Sequence, residues 1–226
     1  MNILIVADEE CPALWDYYTP GKLAGYDLIL SCGDLNSKYL EFLVTMAKCP
    51  LLYVHGNHDG SYAHQPPEGC DCIDDRLVIY KGLRLLGLGG SRNYSSGSHQ
   101  YTERQMEKRI RKLKRAIRFA GGVDIVVAHA APRGVGDAED RTHQGFVAFL
   151  PLIETYEPRY VLHGHVHLNY GTNIPRINHY GAATVINCCG KYVLEHTCAG
   201  QWRPMTRRNK ILCKLFAKNL QIVGEW

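Results

Sequence analysis

The stretch at residues 51–60, LLYVHGNHDG, governs how the rest of the chain is interpreted. It begins with a short apolar run of the kind that forms a buried β-strand. The run stops at Gly56 and is followed by Asn57, His58 and Asp59, which are polar, ligand-type side chains. A glycine–asparagine pair alone is a common turn, so the meaning of this stretch depends on whether its pattern recurs.

The pattern of an apolar run followed by ligand-type residues occurs at four further places. These runs are followed by Asp8, by Gly33 and Asp34, by His129, and by the segment GHVH at residues 164–167. Helical stretches at residues 37–48, 101–119 and 145–156 favour an α/β arrangement. Because binding sites of open α/β sheets form at the carboxyl ends of strands, we expect all five clusters to converge on one edge.

The composition is that of a soluble globular protein: 46% of the 226 residues are hydrophobic and 21% are charged. We expect a single domain over residues 1–226, because sandwiches and barrels of this size commonly form one domain. No run approaches the ~20 apolar residues of a membrane span, and the first residues lack the basic leader of a signal peptide. The nine cysteines, several in apparent core strands, favour reduced thiols and a cytoplasmic location.

Basic residues, which give a net charge of +4, are concentrated in two segments. In residues 107–119, EKRIRKLKRAIRF, an apolar stripe of Ile110, Leu113 and Ile117 predicts a surface helix with a solvated basic side. Attraction of an anionic substrate or of nucleic acid by that side is the less favoured alternative. Residues 199–226 form a basic and apolar C-terminal extension, for which a packed helix and a subunit contact are both open. The sequence leaves the oligomeric state open.

The side chains at the five strand ends offer oxygen and nitrogen donors without a thiolate. Such a set suits two divalent metal ions such as Mn²⁺, Fe²⁺ or Zn²⁺, among which we favour Mn²⁺. In this order, the motifs resemble the calcineurin-like metallophosphoesterase superfamily over residues 1 to about 198. The resemblance implies a four-layer αββα sandwich, in which two mixed β-sheets are flanked by helices, with a dinuclear metal centre at the carboxyl ends of the strands.

The resemblance also implies a role for each motif residue. Asp34 would bridge both metals, Asp8 and His167 would hold the first, and Asn57, His129 and His165 would hold the second. Metals in this arrangement activate a water molecule for in-line attack on phosphorus and neutralise the phosphoryl oxygens. His58 would protonate the leaving-group oxygen or stabilise the transition state, with Asp59 orienting its ring. The alternative for Asp59 is that it caps the turn.

One motif departs from the family pattern, which usually begins Asp-x-His. Here the sequence reads Asp8-Glu9-Glu10, so the histidine expected on the first metal is missing. Side chains alternate in an extended segment, which places Asp8 and Glu10 on one face and Glu9 on the other. We therefore expect Glu10 to be the replacement ligand and Glu9 not to be one. The alternative is that Glu10 is solvated and the first metal is held weakly.

Further residues are expected near the substrate. Arg92 and Asn93 lie in the loop GGSRNYSSGSHQY at residues 89–101, where the arginine either clamps a phosphate oxygen or lies on the surface. His143 precedes a helix and either reaches the substrate pocket or supports it indirectly. In residues 59–72, DGSYAHQPPEGCDC, the cysteine pair has no second pair at zinc-binding spacing, which favours an ordered loop over a zinc site.

The sequence therefore predicts a cytoplasmic, metal-dependent phosphoesterase that acts on a small phosphorylated substrate, with phosphodiesters preferred. The preference for diesters rests on family analogy. The missing histidine leaves a second hypothesis, in which the protein keeps the fold and binds protein or nucleotide through a degraded metal site. The basic helix leaves a third, a phosphodiesterase that processes nucleic acid.

Overall fold

The computed structural model describes residues 1–168 and 175–196, together with the backbone of residues 220–223. In chain order its strands and helices are β1 (Asn2–Ala7), β2 (Leu28–Ser31), α1 (Ser37–Ala47), β3 (Leu51–Tyr53), β4 (Asp71–Cys72), β5 (Leu77–Tyr80), β6 (Leu83–Leu88), β7 (Ser91–Arg92), β8 (Gln100–Tyr101), α2 (Glu103–Ala120), β9 (Ile125–Ala128), α3 (Phe149–Tyr156), β10 (Tyr160–His163), β11 (Ile177–Tyr180), β12 (Ala183–Asn187), β13 (Gly190–Glu195) and β14 (Leu220–Val223). Short 3₁₀ helices lie at Pro12–Leu14 and Asp59–Ala63.

The strands form two large sheets, both of them mixed. A five-stranded sheet has the order β13-β1-β2-β3-β4, in which β1, β2 and β3 are parallel and β13 is antiparallel to β1. A seven-stranded sheet has the order β11-β12-β10-β9-β6-β5-β14 and a parallel centre formed by β6, β9, β10 and β12. Parallel neighbours bring their carboxyl ends to one edge, which is where the sequence motifs lie.

Alternation along β1 shows how the layers form. Ile3 and Ile5 pack into the apolar layer between the two sheets, whereas Leu4 and Val6 pack into the layer that the five-stranded sheet shares with α1. All four side chains are fully buried, which is why the strand reads as a continuous apolar run. A third apolar layer joins α2 and α3 to the seven-stranded sheet. The predicted four-layer αββα sandwich is therefore confirmed.

Helix α2 is the basic segment of the sequence. It begins with a capping box between Thr102 and Gln105, and its residues Ile110, Leu113 and Ile117 are buried. The basic residues on its other faces are exposed, as the stripe predicted: Arg104, Lys108, Arg111, Lys112, Lys114, Arg115 and Arg118.

Arg109 is the exception on α2, because its side chain is buried. Its Nε donates to Asp75 Oδ1 at 2.7 Å, and its guanidinium carbon lies 4.1 Å from the centre of the Tyr101 ring. This arginine therefore ties the helix to the sheet and does not belong to the solvated side.

The C-terminal extension lies outside the described residues except at 220–223, where the backbone forms β14 parallel to β5. A packed helix, one of the two possibilities for this extension, therefore does not include these four residues. Within the described ranges, no helix is both long enough and apolar enough to cross a membrane.

Candidate metal centre

Three left-handed residues hold the loops at the carboxyl ends of the central strands. Asp8, Asp34 and His165 have φ values of 61°, 57° and 67°. This conformation is uncommon for residues other than glycine and costs on the order of 1–3 kcal/mol each. Such strain persists only where the surrounding contacts determine the backbone, so the contacts of these three residues hold the loops in place.

Two of these residues are the centres of three-residue turns. Around Asp8, the amide of Glu9 donates to the carbonyl of Ala7 at 2.6 Å, and around His165, Val166 donates to Gly164 at 2.8 Å. The two turns meet, because the amide of His165 donates to Asp8 Oδ1 at 2.8 Å. One turn follows β1 and the other follows β10, so the two sheets are joined at this point.

A set of lone-pair atoms converges on His129, which is fully buried. Its Nε2 lies 2.9 Å from Asn57 Oδ1 and 3.3 Å from Asp34 Oδ2, and its Nδ1 donates to the carbonyl of Cys32 at 2.8 Å. A proton on Nε2 would satisfy these two oxygens, and a divalent cation bound by all three atoms would take the place of that proton. Although burial lowers it, Asp34 and Asp8 raise the pKa of His129 to about 9. These donors fit a divalent metal.

His165 completes this group from the opposite sheet. One ligand atom from each of Asp34, His129 and His165 lies within 4.8 Å of the others. Nε2 of His165 donates to the carbonyl of Thr142 at 2.8 Å, which leaves Nδ1 as the nitrogen available to a metal. Burial and the neighbouring His129 lower the pKa of His165 to about 3, so the ring is neutral, as a metal ligand must be.

Asp8 carries a buried carboxylate oxygen without a partner. Its side chain is 1% exposed, and Oδ2 accepts no hydrogen bond from any described residue. Burial raises the pKa of this carboxyl to about 6. An orphaned buried oxygen is costly, and a cation beside it would remove the cost. Asp8 therefore fits the role of a metal ligand that the resemblance implied.

The acids after Asp8 lie differently from the prediction. Both glutamates are exposed, but it is Glu9 whose Oε1 lies 3.0 Å from Nδ1 of His167. The prediction assumed that the extended strand continues to residue 10, but it ends at Ala7 and the left-handed Asp8 turns the chain. The expectation that Glu10 and not Glu9 faces the site assumed an extended chain through residue 10, and that assumption is wrong.

His58 lies beside Asp34 at the edge of the candidate centre. Its amide donates to Asp34 Oδ1 at 2.7 Å, while its side chain is exposed. It lines a surface cavity of about 380 Å³ together with Asp34, Leu35, Asn36, Ser37, Asp59, Ser61 and Gln65. The cavity gives the side chain access to a bound ester, so this predicted role keeps its geometric basis.

Asp59 has a different task from the one predicted. Its buried Oδ2 accepts hydrogen bonds from the amides of Asp34 at 2.9 Å and Gly56 at 2.7 Å. It therefore fixes the backbone of the two loops that carry Asp34 and Asn57. These contacts correspond to the alternative that Asp59 caps the turn, and orientation of the His58 ring stays a prediction.

Glycine is required where these two loops touch. A Cβ on Gly56 would lie 2.0 Å from Asp34 Oδ1, and a Cβ on Gly33 would lie 2.3 Å from the amide nitrogen of Gly56. Both distances are far below van der Waals contact. The motif glycines therefore permit the close approach that brings Asp34 to Asn57.

The predicted substrate residues lie at different distances from this centre. Arg92 donates to Gln144 Oε1 at 2.6 Å and lies 3.5 Å from Glu103 Oε1, so its guanidinium is engaged by partners within the protein. Asn93 is exposed and donates to the carbonyl of Ser95 at 3.2 Å. Neither arrangement favours a phosphate clamp.

His143, the third predicted substrate residue, does lie beside the centre. The centre of its ring is 5.1 Å from that of His165, and its Nδ1 contacts Asp140 Oδ2 at 2.9 Å. This position is compatible with the alternative that His143 supports the site indirectly.

Sequence reasoning missed Tyr94 and Cys189. The hydroxyl of Tyr94 accepts from Asn57 Nδ2 at 3.0 Å, which turns the amide oxygen of Asn57 toward His129. Cys189 belongs to a second group of potential ligands with Glu9 and His167. No local pattern marks Tyr94, but Cys189 follows the apolar run of β12 and could have been recognised as another strand-end residue. A thiol ligand would remove the basis on which Mn²⁺ was favoured.

The fold and the converging donors define a metal-dependent phosphoesterase in general terms. A sequence profile described as calcineurin-like phosphoesterase matches residues 7–169. The chain belongs to the calcineurin-like phosphoesterase family, since the match covers well over half of it.

Solved structures agree on the fold. One crystal structure superposes with a TM-score of 0.62 at 13% identity, covering 85% of this chain and 94% of the other. A second, TT1561 of Thermus thermophilus, superposes with a TM-score of 0.51 at 17% identity, covering 84% and 89%. No match to the chain was found among curated protein sequences.

Proposed function

We propose that this protein hydrolyses phosphate esters at the centre formed by Asp34, Asn57, His129 and His165, with phosphodiesters preferred. The observation that carries the proposal is the convergence of carboxylate, amide and imidazole donors from both sheets around His129 Nε2. Beside it lies an open cavity that contains His58.

Divalent ions bound there would supply charge neutralisation at the phosphoryl oxygens and activation of water. The residues of the chain provide the positioning. Asp34 faces His129 with Oδ2 and the His58 amide with Oδ1, so its orientation is fixed from both sides. His58 presents its side chain to the cavity and transfers a proton to the leaving-group oxygen.

The charge of the cavity supports the preference for diesters. Among the described residues that line it there is no lysine or arginine, and Asp34 contributes a negative charge. Although burial raises it, His129 lowers the pKa of Asp34 to about 2, so this carboxylate is ionised at neutral pH. A dianionic monoester needs more cationic partners than a monoanionic diester, and the nearby Arg92 is engaged by Gln144.

A reducing compartment, such as the cytoplasm, is part of the proposal. The cysteines that the structure describes carry free thiols, and Cys32, Cys188 and Cys189 are buried in or beside the core strands. Buried thiols of this kind persist where disulfides do not form.

Parallel assays on bis(p-nitrophenyl) phosphate and p-nitrophenyl phosphate test the proposal. The protein is first treated with a chelator and then given Mn²⁺, Zn²⁺, Co²⁺ or Fe²⁺ in turn. We expect metal-dependent hydrolysis, with a higher kcat/KM for the diester. A folded, metal-loaded protein that hydrolyses neither compound would contradict the proposal and favour a binding protein of the same fold. Hydrolysis confined to DNA or RNA, with a steep salt dependence, would favour the nucleic-acid hypothesis.

A further inference from the structure

We infer that Glu9 and Cys189 bind the first metal ion together with Asp8 and His167, so that a thiolate and a carboxylate replace the histidine missing from the first motif. The inference rests on the proposed function to the extent that both require a metal-binding protein. It adds a ligand set that the family motifs do not contain, and it changes which metal the site selects.

The geometry of three side chains carries the inference. Glu9 Oε1 lies 3.0 Å from His167 Nδ1, and one ligand atom from each of Glu9, His167 and Cys189 lies within 4.8 Å of the others. Ligand atoms of a tetrahedral zinc site are separated by roughly 3.2–3.8 Å, which follows from metal–ligand bonds of ~2.0–2.3 Å. Small side-chain movements would therefore close these three atoms around one ion.

Asp8 provides an independent observation. Its side chain is 1% exposed, and Oδ2 has no partner among the described residues. Asp8 precedes Glu9 in the sequence, and its Oδ1 accepts a hydrogen bond at 2.8 Å from the amide of His165, two residues before His167. The orphaned oxygen therefore lies on the same pair of turns as two of the proposed ligands.

An ordinary ion pair does not account for the arrangement. Glu9 and His167 are 44% and 30% exposed, and an exposed pair of this kind contributes little to stability. Such a pair would also leave the buried Asp8 Oδ2 without compensation. A cation held by Glu9, His167 and Cys189 would also compensate the charge of the neighbouring Asp8.

The loop that carries Cys189 is held in place in a way that suits a ligand. The Cys189 amide donates to Asn187 Oδ1 at 2.9 Å, and its carbonyl accepts from Arg176 Nη2 at 3.0 Å. The buried Asn187 also donates from Nδ2 to the carbonyl of Val166 at 2.7 Å. Because Val166 precedes His167, one asparagine fixes the positions of both proposed ligands relative to each other.

The thiolate sets the metal preference. Soft sulfur ligands favour Zn²⁺, Co²⁺ and Fe²⁺ over Mn²⁺, which prefers oxygen. We therefore expect the first site to take zinc or iron, contrary to the manganese preference expected from the sequence motifs alone.

Cobalt substitution tests the inference without any substrate. Co²⁺ bound to a thiolate gives a charge-transfer absorption band in the near ultraviolet, and oxygen or nitrogen ligands alone do not. We expect this band in the Co²⁺-loaded protein and its loss, with one equivalent of metal, in Cys189→Ala. Glu9→Ala should lower the metal stoichiometry and keep a weakened band.

Matched variants make the result specific. Cys188→Ala removes the adjacent buried thiol, and Cys72→Ala removes the thiol that lies near His55 and Asp74 in a separate group. Both should keep the band, as should Glu10→Ala, whose side chain is exposed. Should Cys189→Ala fail to fold, Cys189→Ser supplies the same comparison.

Absence of the band from the Co²⁺-loaded parent, or its persistence in Cys189→Ala or Cys189→Ser, would overturn the inference. A protein that shows the band but hydrolyses no ester retains the ligand set and loses the proposed function. A protein that hydrolyses the ester without showing the band retains the proposed function and loses the ligand set. The two failures are therefore distinguishable.

Discussion

The side chain of Asp8 accepts a hydrogen bond at 2.8 Å from the main-chain amide of His165, a residue 157 positions away. The two residues have φ values of 61° and 67°, and each is the centre of a three-residue turn. Asp8 follows the five-stranded sheet and His165 follows the seven-stranded one. The candidate metal centre is therefore a junction between the sheets, and each strained turn is held by the other.

Replacement of Gly164 by alanine should disturb this junction. A Cβ there would lie 2.5 Å from Asp8 Oδ2 and 2.7 Å from the Cβ of Ala7, so the two turns must separate. We expect a lower melting temperature and weaker metal binding, measured by thermal unfolding and elemental analysis. Gly97→Ala is the control, because its added methyl would meet only the movable ends of side chains. Equal metal affinity in the two variants would contradict the steric argument.

The variant Asp34→Asn should lose metal and turnover together. Oδ2 of Asp34 lies 3.3 Å from His129 Nε2, and an amide in this place removes the negative charge from the centre of the site. We expect metal content to fall and kcat to drop below detection, as measured by elemental analysis and hydrolysis of bis(p-nitrophenyl) phosphate. The exposed Asp16, changed to asparagine, serves as the control. Unchanged metal content in Asp34→Asn would show that the carboxylate serves only the turn.

Replacement of His58 by alanine should reduce turnover while leaving metal in place. The contact to Asp34 is made by the backbone amide of residue 58, and alanine retains it. A lost general acid costs ~10²–10⁴ in kcat. We expect a loss of this size on esters with poor leaving groups, and His64→Ala, an exposed histidine nearby, should behave like the parent. Normal kcat on poor leaving groups would exclude the role.

The two variants Asp59→Ala and Asp59→Asn should differ in stability. Alanine leaves the amides of Asp34 and Gly56 without their acceptor, at about 1–3 kcal/mol per buried unpaired donor. Asparagine keeps an acceptor oxygen in the same place. Urea unfolding should therefore show a clearly lower free energy of unfolding for Asp59→Ala than for Asp59→Asn. Equal values would mean that the two amides are solvated without Asp59.

Replacement of Tyr94 by phenylalanine should weaken metal binding with little change in folding. The hydroxyl accepts from Asn57 Nδ2 and thereby directs the amide oxygen toward His129. Loss of such a supporting contact typically costs ~10–100-fold in metal affinity. Isothermal titration with the metal, compared with Tyr17→Phe at a residue that is 74% exposed, measures the effect. Parent-like affinity would show that Asn57 keeps its orientation without Tyr94.

The local sequence pattern was sufficient to predict which face of a strand or helix is buried. Ile3 and Leu4 pack into different apolar layers because side chains alternate along a strand, and Ile110 and Leu113 are buried because they share one helix face. The order of the motifs, through the resemblance, supplied the four-layer arrangement. The assignment of ligands to particular metals stays a prediction.

The same alternation failed at residues 9 and 10, because it holds only while the chain is extended. Asp8 turns the chain, and its side chain contacts His165, which lies far away in the sequence. Arg92 shows the same limit, since its partners Glu103 and Gln144 come from later segments. A side chain can be placed from local pattern only when its neighbours are local.

Sequence alone was enough to indicate the family, the layers and the residues that gather at the sheet edge. Apolar periodicity is a property of neighbouring residues, and the order of the motifs can be read directly along the chain. The packed structure was needed to show that Glu9 and Cys189 lie beside His167, and that Asp59 binds two backbone amides. These contacts join segments that are close only after both sheets have packed, and their distances depend on turns whose strain the packing maintains.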